Sequence, residues 1–193
     1  MNIEVLYVGI YSYFLGTIPF GLIITKIFLN KDLRKIGSGN IGATNVLRTE
    51  KKSLGVLTLI FDGLKGYLSV IITFSYLPEY IYLSALLCFL GHIFPIWLKF
   101  KGGKGVAVYF GILFSFSINI GVLFLLSWLI VLYFSKYSSL SSLISSLIIF
   151  IYSIIFKNLN ESILFFIIFI IIIYTHRENI TRLKNKKENK IKF

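Results

Sequence analysis

"SILFFIIFIIIIY", Ser162 to Tyr174, contains eleven Ile, Leu or Phe residues among its thirteen. A membrane-spanning strand alternates polar and apolar residues with a period of two. This run is apolar on every face. Within a bilayer the backbone can satisfy its polar groups only as a helix or a closed barrel. The absence of alternation rejects the barrel and leaves an all-α integral membrane protein. The whole chain agrees: of its 193 residues 56% are hydrophobic, and the mean hydropathy is +0.84. A soluble domain of this size could not hide that much apolar surface.

Further apolar runs cover Val5 to Thr25, Leu54 to Leu77, Tyr80 to Leu98, Val106 to Ser135 and Leu143 to Phe156. Pro78 and Glu79 form a short turn. The net charge is +12, from 20 Lys and Arg against 8 Asp and Glu. In a membrane protein such an excess marks the cytoplasmic side, so no nucleic acid partner is expected. Lys31, Arg34, Lys35, Arg48, Lys51 and Lys52 put the first long loop inside and the N-terminus outside. Lys99, Lys101, Lys104, Lys136 and the basic tail favour the inside too. Lys104 and Lys136 share a side only if Val106 to Ser135 crosses twice, turning near Ser117 to Gly121. Each crossing is then about 15 residues, short for a bilayer. By the same parity the two last runs form a second pair. The expectation is a polytopic bundle of about seven transmembrane helices, N-terminus outside and C-terminus cytoplasmic, with five spans as the alternative. Residues 1–193 read as a single membrane-embedded domain. A basic cytoplasmic tail from about residue 176 is expected to fray beyond its first turns. Cys88 is the lone cysteine, so no intrachain disulfide forms. No cleavable signal is expected.

Four polar stretches then converge on the cytoplasmic face. In "SGNIGATNVLR", Ser38 to Arg48, Gly39 and Gly42 permit close backbone approach to a ligand. Ser38, Asn40, Thr44 and Asn45 offer hydrogen bonds, and Arg48 a fork suited to phosphate. The plain alternative is a loop that caps the next helix. In "KFKGGKGVA", Lys99 to Ala107, the N–H groups of Gly102, Gly103 and Gly105 could face an anion beside Lys104, at the start of a helix. The P-loop pattern fails, because Gly105 follows Lys104 where Ser or Thr is required. Nucleotide is thereby unsupported, and a positive-inside connector is the alternative. "THRENITRL", Thr175 to Leu183, places His176, Asn179 and Arg182 on one face if the last helix continues. A basic helix against anionic lipid is the alternative. In "KYSSLSS", Lys136 to Ser142, serines at a span end carry the weakest signal. Within the spans, Asp62 and Lys65 are three apart and can pair, as structural support or as a site wall. His92 reads as structural. No metal-ligand cluster is present, and neither a metal nor a cofactor is expected.

Together, "SGNIGATNVLR", "FDGLKG", "GHIFPIWLKFKGGKGVA" and "THRENITRL" resemble the motifs of one family, the bacterial PlsY-type acyl-phosphate:glycerol-3-phosphate acyltransferases, in its order and at similar spacing. The resemblance implies acyl transfer from acyl phosphate to the 1-hydroxyl of glycerol 3-phosphate, giving lysophosphatidate and phosphate, at the bacterial inner membrane. It implies catalytic roles for Ser38, Thr44, Arg48, His176 and Asn179. Substrate phosphate falls to Asn40, Gly102, Gly103, Lys104, Gly105 and Ser139. Asp62, Lys65 and Glu178 are implied as structural support. The family's "RYVSL" segment reads "KYSSL" here, with Lys136 for Arg and Ser138 for Val. The implied partners are the two substrates and membrane lipid, with room for the enzyme that makes acyl phosphate. The His-x4-Asp pattern of other acyltransferases is absent.

Two other functions share the basic loops. A transporter for an anionic solute needs a polar path through both leaflets, yet the outer side offers only Glu79, Asn119 and "KNLNE". A scaffold binding anionic lipid through its tail would tolerate scrambling of the first motif.

Overall fold

The computed structural model describes residues 3–191, and no β-strand occurs among them. Ten helices follow in chain order: α1 Ile3–Thr17, α2 Phe20–Leu29, α3 Ala43–Val46, α4 Lys52–Tyr76, α5 Ile81–Ile93, α6 Val106–Phe116, α7 Ile118–Ser135, α8 Ser138–Phe156, α9 Leu159–Thr175 and α10 Arg177–Lys184. Short 3₁₀ turns lie at Leu33–Lys35, Pro78–Tyr80 and Ile96–Leu98. Two compact units are present, residues 1–115 and 116–193.

By length and apolarity, five segments among the described residues can cross a bilayer: Ile3–Leu29, Lys52–Tyr76, Pro78–Leu98, Ile118–Ser135 and Ser138–Phe156. The bent pair α9 and α10 makes a sixth. The remaining apolar helix, α6, has 11 residues, about 16 Å of rise, half of a hydrocarbon core. Three boundaries differ from the sequence reading. The first run breaks at Ile18 and Pro19, because a proline within a helix lacks the N–H and crowds the preceding turn. The long middle run does break at Ser117, which is extended with φ −168° and ψ 136°, but into unequal parts. "KYSSLSS" is largely the first turns of α8 rather than a loop: the hydroxyls of Ser141 and Ser142 donate to the carbonyls of Tyr137 and Ser138, each at 2.9 Å. Serines that bond their own helix four residues back need no turn.

In residues 1–115, α1 packs on α5 backbone to backbone. A Cβ at Gly91 would strike the Tyr13 carbonyl, and one at Gly16 the Cys88 backbone. Without a hydrophobic force between helices in lipid, such close small-residue contact carries the packing. Polar groups add to it. The Ser12 hydroxyl donates to Ser84 Oγ at 2.9 Å, and Ser84 Oγ lies 2.8 Å from Ser69 Oγ, joining α1, α5 and α4. In residues 116–193, α8 packs between α7 and α9. Trp128 Nε1 donates to Ser142 Oγ at 3.1 Å and Ser162 Oγ to the Ser153 carbonyl at 2.9 Å. Large apolar side chains such as Tyr76 and Phe134 point outward and are exposed, as suits a surface bathed in lipid.

Candidate active site

The loop between α2 and α4 is folded around Asn45. This residue is 2% exposed. Its Nδ2 donates to the carbonyls of Asn40 at 2.8 Å, Ile36 at 2.9 Å and Leu33 at 3.2 Å. Its Oδ1 accepts the Ser38 N–H at 3.0 Å. Below, Leu33 and Val46 pack with Ile24 and Leu54 in an apolar cluster that seats the loop on α2 and α4. Asn45, read from sequence as a ligand donor, is thus the organiser of the motif. Asn40 turns its Oδ1 inward to the Gly42 N–H at 2.9 Å, which leaves its NH₂. The Gly39 N–H bonds the Ile36 carbonyl at 2.9 Å. Both glycine N–H groups of the segment are therefore committed within the loop. Gly37, with φ +54°, lies beneath Arg48: a Cβ there would stand 3.2 Å from Arg48 Cδ.

Charge in this loop is partly neutralised. Lys31 pairs with Glu50, and Arg34 with Asp32 at 2.8 Å. The hydrogen bonds from Arg34 hold the Asp32 carboxyl down at about 2. Arg48 is exposed and makes no ion pair among the described residues; Ser38 is exposed and Thr44 half-buried.

The glycine loop follows α5. Lys99 and Phe100 both have left-handed backbone, φ 52° and 60°, and reverse the chain. The returning segment then pairs with the end of α5: the Gly102 N–H bonds the Ile93 carbonyl at 2.9 Å and the Gly103 N–H the His92 carbonyl at 3.0 Å. These two donors cannot face an anion, which corrects the expectation for Gly102 and Gly103. What the loop offers a phosphate is half-buried Lys104 and the unpaired N–H groups opening α6. Gly105, at φ +85°, presses on the Phe89 ring. Beneath the loop lies a buried polar cluster. Asp62 and Lys65 pair at 2.9 Å as their spacing implied, each side chain 1% exposed. Lys65 Nζ also lies 2.7 Å from the Ile18 carbonyl and 2.9 Å from His92 Nδ1.

The C-terminal motif is not one straight helix. The chain bends 60° between α9 and α10, with His176 at the corner. His176 is 2% exposed, and its Nδ1 lies 2.9 Å from the Ile172 carbonyl. A carbonyl can only accept, so Nδ1 carries a proton. On α10, Asn179 Nδ2 donates to Glu188 Oε1 at 2.6 Å and Arg182 Nε to Glu188 Oε2 at 2.7 Å. Ser139 Oγ, from α8, donates to the same Oε1 at 2.8 Å. Burial pushes the Glu188 carboxyl upward, but the hydrogen bonds from Arg182, Asn179 and Ser139 outweigh it and hold the group below its ordinary value. The tail is consequently tied down rather than frayed: the Ile191 N–H also bonds the Lys136 carbonyl at 2.8 Å. Glu178, expected as support, is 75% exposed and stands 3.8 Å from Arg182. That pair holds a neighbouring cation, and Glu188 adds buried support. Its signal in sequence was a single acid in the basic run "NKKENK".

The implied residues divide between the two units. Ser38, Asn40, Thr44, Arg48 and the Gly102–Gly105 loop with Lys104 belong to residues 1–115. Ser139, His176 and Asn179 belong to residues 116–193. A model of the family described as "Glycerol-3-phosphate acyltransferase" matches residues 6–186. A protein of that name from Pelagibacter ubique (strain HTCC1062) is 59% identical over 191 residues, 98% of this chain and 99% of the relative. The crystal structure of PlsY, an integral membrane glycerol 3-phosphate acyltransferase, in its glycerol 3-phosphate form, superimposes with a TM-score of 0.93 at 36% identity. That match covers 98% of this chain and 96% of PlsY. The lysophosphatidic acid form gives a TM-score of 0.91 at 34% identity.

Proposed function

The chain belongs to the glycerol-3-phosphate acyltransferase family, and we propose that it moves a fatty acyl group from acyl phosphate to the 1-hydroxyl of sn-glycerol 3-phosphate. The observation that carries this reading is the family match, which spans all four polar motifs. The products are lysophosphatidate and inorganic phosphate. The hydroxyl oxygen bonds to the acyl carbon, the acyl–oxygen bond to phosphate breaks, and phosphate leaves with the electron pair. The hydroxyl proton goes to His176 Nε2 or to a phosphate oxygen of the substrate. The proton held at Nδ1 suits the first acceptor.

Acyl phosphate already carries a good leaving group. The protein's task is to align two anions and stabilise developing charge. Arg48 and Lys104 supply cations for this, and Lys104 with the opening N–H groups of α6 takes the phosphate of glycerol 3-phosphate. Ser38, Thr44 and Asn179 bind and orient the substrates, and Ser139 supports substrate phosphate binding. No acyl-enzyme forms. The first loop, the glycine loop and the tail lie on the cytoplasmic side of the inner membrane, with the N-terminus outside. Seven crossings follow if α6 and the α9–α10 pair are added to the five long segments. The chain acts as a single domain.

The test uses purified protein with palmitoyl phosphate and glycerol 3-phosphate. Phosphate release that requires both substrates, with no stable acyl adduct on the protein, is the expected result. Activity with acyl-CoA or acyl carrier protein but none with acyl phosphate overturns the donor.

A further inference from the structure

The three glycines of the loop are required for three different physical reasons. A Cβ on Gly102 would meet the His92 and Ile93 carbonyls and Pro95 Cδ, which are backbone or ring and cannot move aside. Gly105 has positive φ, strained for any other residue. Gly103 differs from both. Its φ is not positive, and the three nearest atoms that a Cβ would meet are Nε2, Cε1 and Cδ2 of His92. The tip of the imidazole therefore points at the Gly103 Cα.

His92 is held in that attitude from its other end. The Lys65 ammonium lies within hydrogen-bond distance of the Ile18 carbonyl and His92 Nδ1, and pairs with the Asp62 carboxylate. An ammonium cannot accept, so Nδ1 is the acceptor. His92 is 3% exposed, and its own carbonyl takes the Gly103 N–H. One residue thus fixes Gly103 twice, through its main chain and through its ring. Gly103 immediately precedes Lys104.

We propose that His92, braced by Lys65 and Asp62, is a positioning residue that sets the glycine loop, and with it Lys104 and the start of α6, for the phosphate of glycerol 3-phosphate. This rests on the reading of that loop as the phosphate site. Gly103 is then a glycine because of His92, not because of the ligand.

The two ends of the imidazole can be separated by substitution. His92→Asn keeps an acceptor where Nδ1 stood and removes the tip. His92→Gln keeps a tip and loses the acceptor beside Lys65. Gly103→Ala alone should raise the KM for glycerol 3-phosphate by about tenfold or more, with a smaller change in kcat. In the His92→Asn background the same substitution should cost about threefold or less. In the His92→Gln background it should remain harmful. Gly102→Ala should gain nothing from His92→Asn. Melting temperatures in detergent are recorded for every variant. Equal KM penalties for Gly103→Ala in all three backgrounds overturn the proposal. So does coupling that appears in melting temperature but not in KM, which marks packing alone. A Lys104→Ala variant with unchanged KM for glycerol 3-phosphate would instead refute the phosphate-site reading itself.

Discussion

The glycine loop and the C-terminal tail each place cations beside the end of an apolar helix, but they are held from opposite directions. The loop is braced from inside the bundle, by Asp62, Lys65 and His92 on α4 and α5, all buried. The tail is braced by Glu188, which returns from beyond α10 to collect Ser139, Asn179 and Arg182. The difference follows from solvent. Within the bundle each charge must be met by fixed partners, because water is not there to replace them. In the tail one carboxylate, its side chain 7% exposed, collects all three donors, of which only Arg182 is open to solvent. The loop should accordingly fail as a unit, whereas the tail should loosen by degrees.

The largest effect is expected at Lys65→Met. It leaves Asp62 buried without its cation, a loss of about 3–5 kcal/mol. Little folded protein should be recovered in detergent by size-exclusion chromatography; a wild-type yield and melting temperature would break the contrast. Glu188→Ala comes next. Folded yield should persist, while trypsin cuts the 184–190 segment much faster and turnover falls about tenfold, the scale of one charge-assisted hydrogen bond. Wild-type cleavage and turnover would show the tail to be ornamental.

A smaller, graded effect sharpens the comparison. The Glu188 carboxyl titrates below its ordinary value of 4.5, held there by its donors. A depressed folded value means that its contribution is complete above the unfolded value and is lost as pH falls through the folded one. Hydrogen-exchange protection of residues 185–191 should therefore drop below pH 4.5, with the glycine loop still protected. Simultaneous loss in both regions would show that they open together. Smallest of all is Glu50→Gln. Its carboxylate is exposed, and its pairing with Lys31 competes with water and salt. Melting temperature and KM should not move measurably.

The apolar spans were legible because burial in lipid writes itself into composition. The break at Ser117 was legible from charge parity and the small polar residues around it. The start of α8 was not, since serine hydroxyls can serve a loop or bond back to their own helix, and sequence alone does not say which. In the glycine loop the residue types were legible but not the direction of their N–H groups. Those turn inward because His92 and Ile93 have carbonyls to satisfy at the end of α5. The support of the last motif was sought at Glu178, inside the motif. Glu178 does pair with Arg182, but the buried support comes from Glu188, because the chain folds back after Lys184, a fact that no helical spacing contains.

The most direct measurement is the steady-state KM for glycerol 3-phosphate of Lys104→Ala, at saturating palmitoyl phosphate. Loss of one charged hydrogen bond to phosphate should raise KM about tenfold or more, or abolish turnover in a protein of normal melting temperature. A KM and kcat equal to those of the unaltered protein would contradict the phosphate site at the glycine loop.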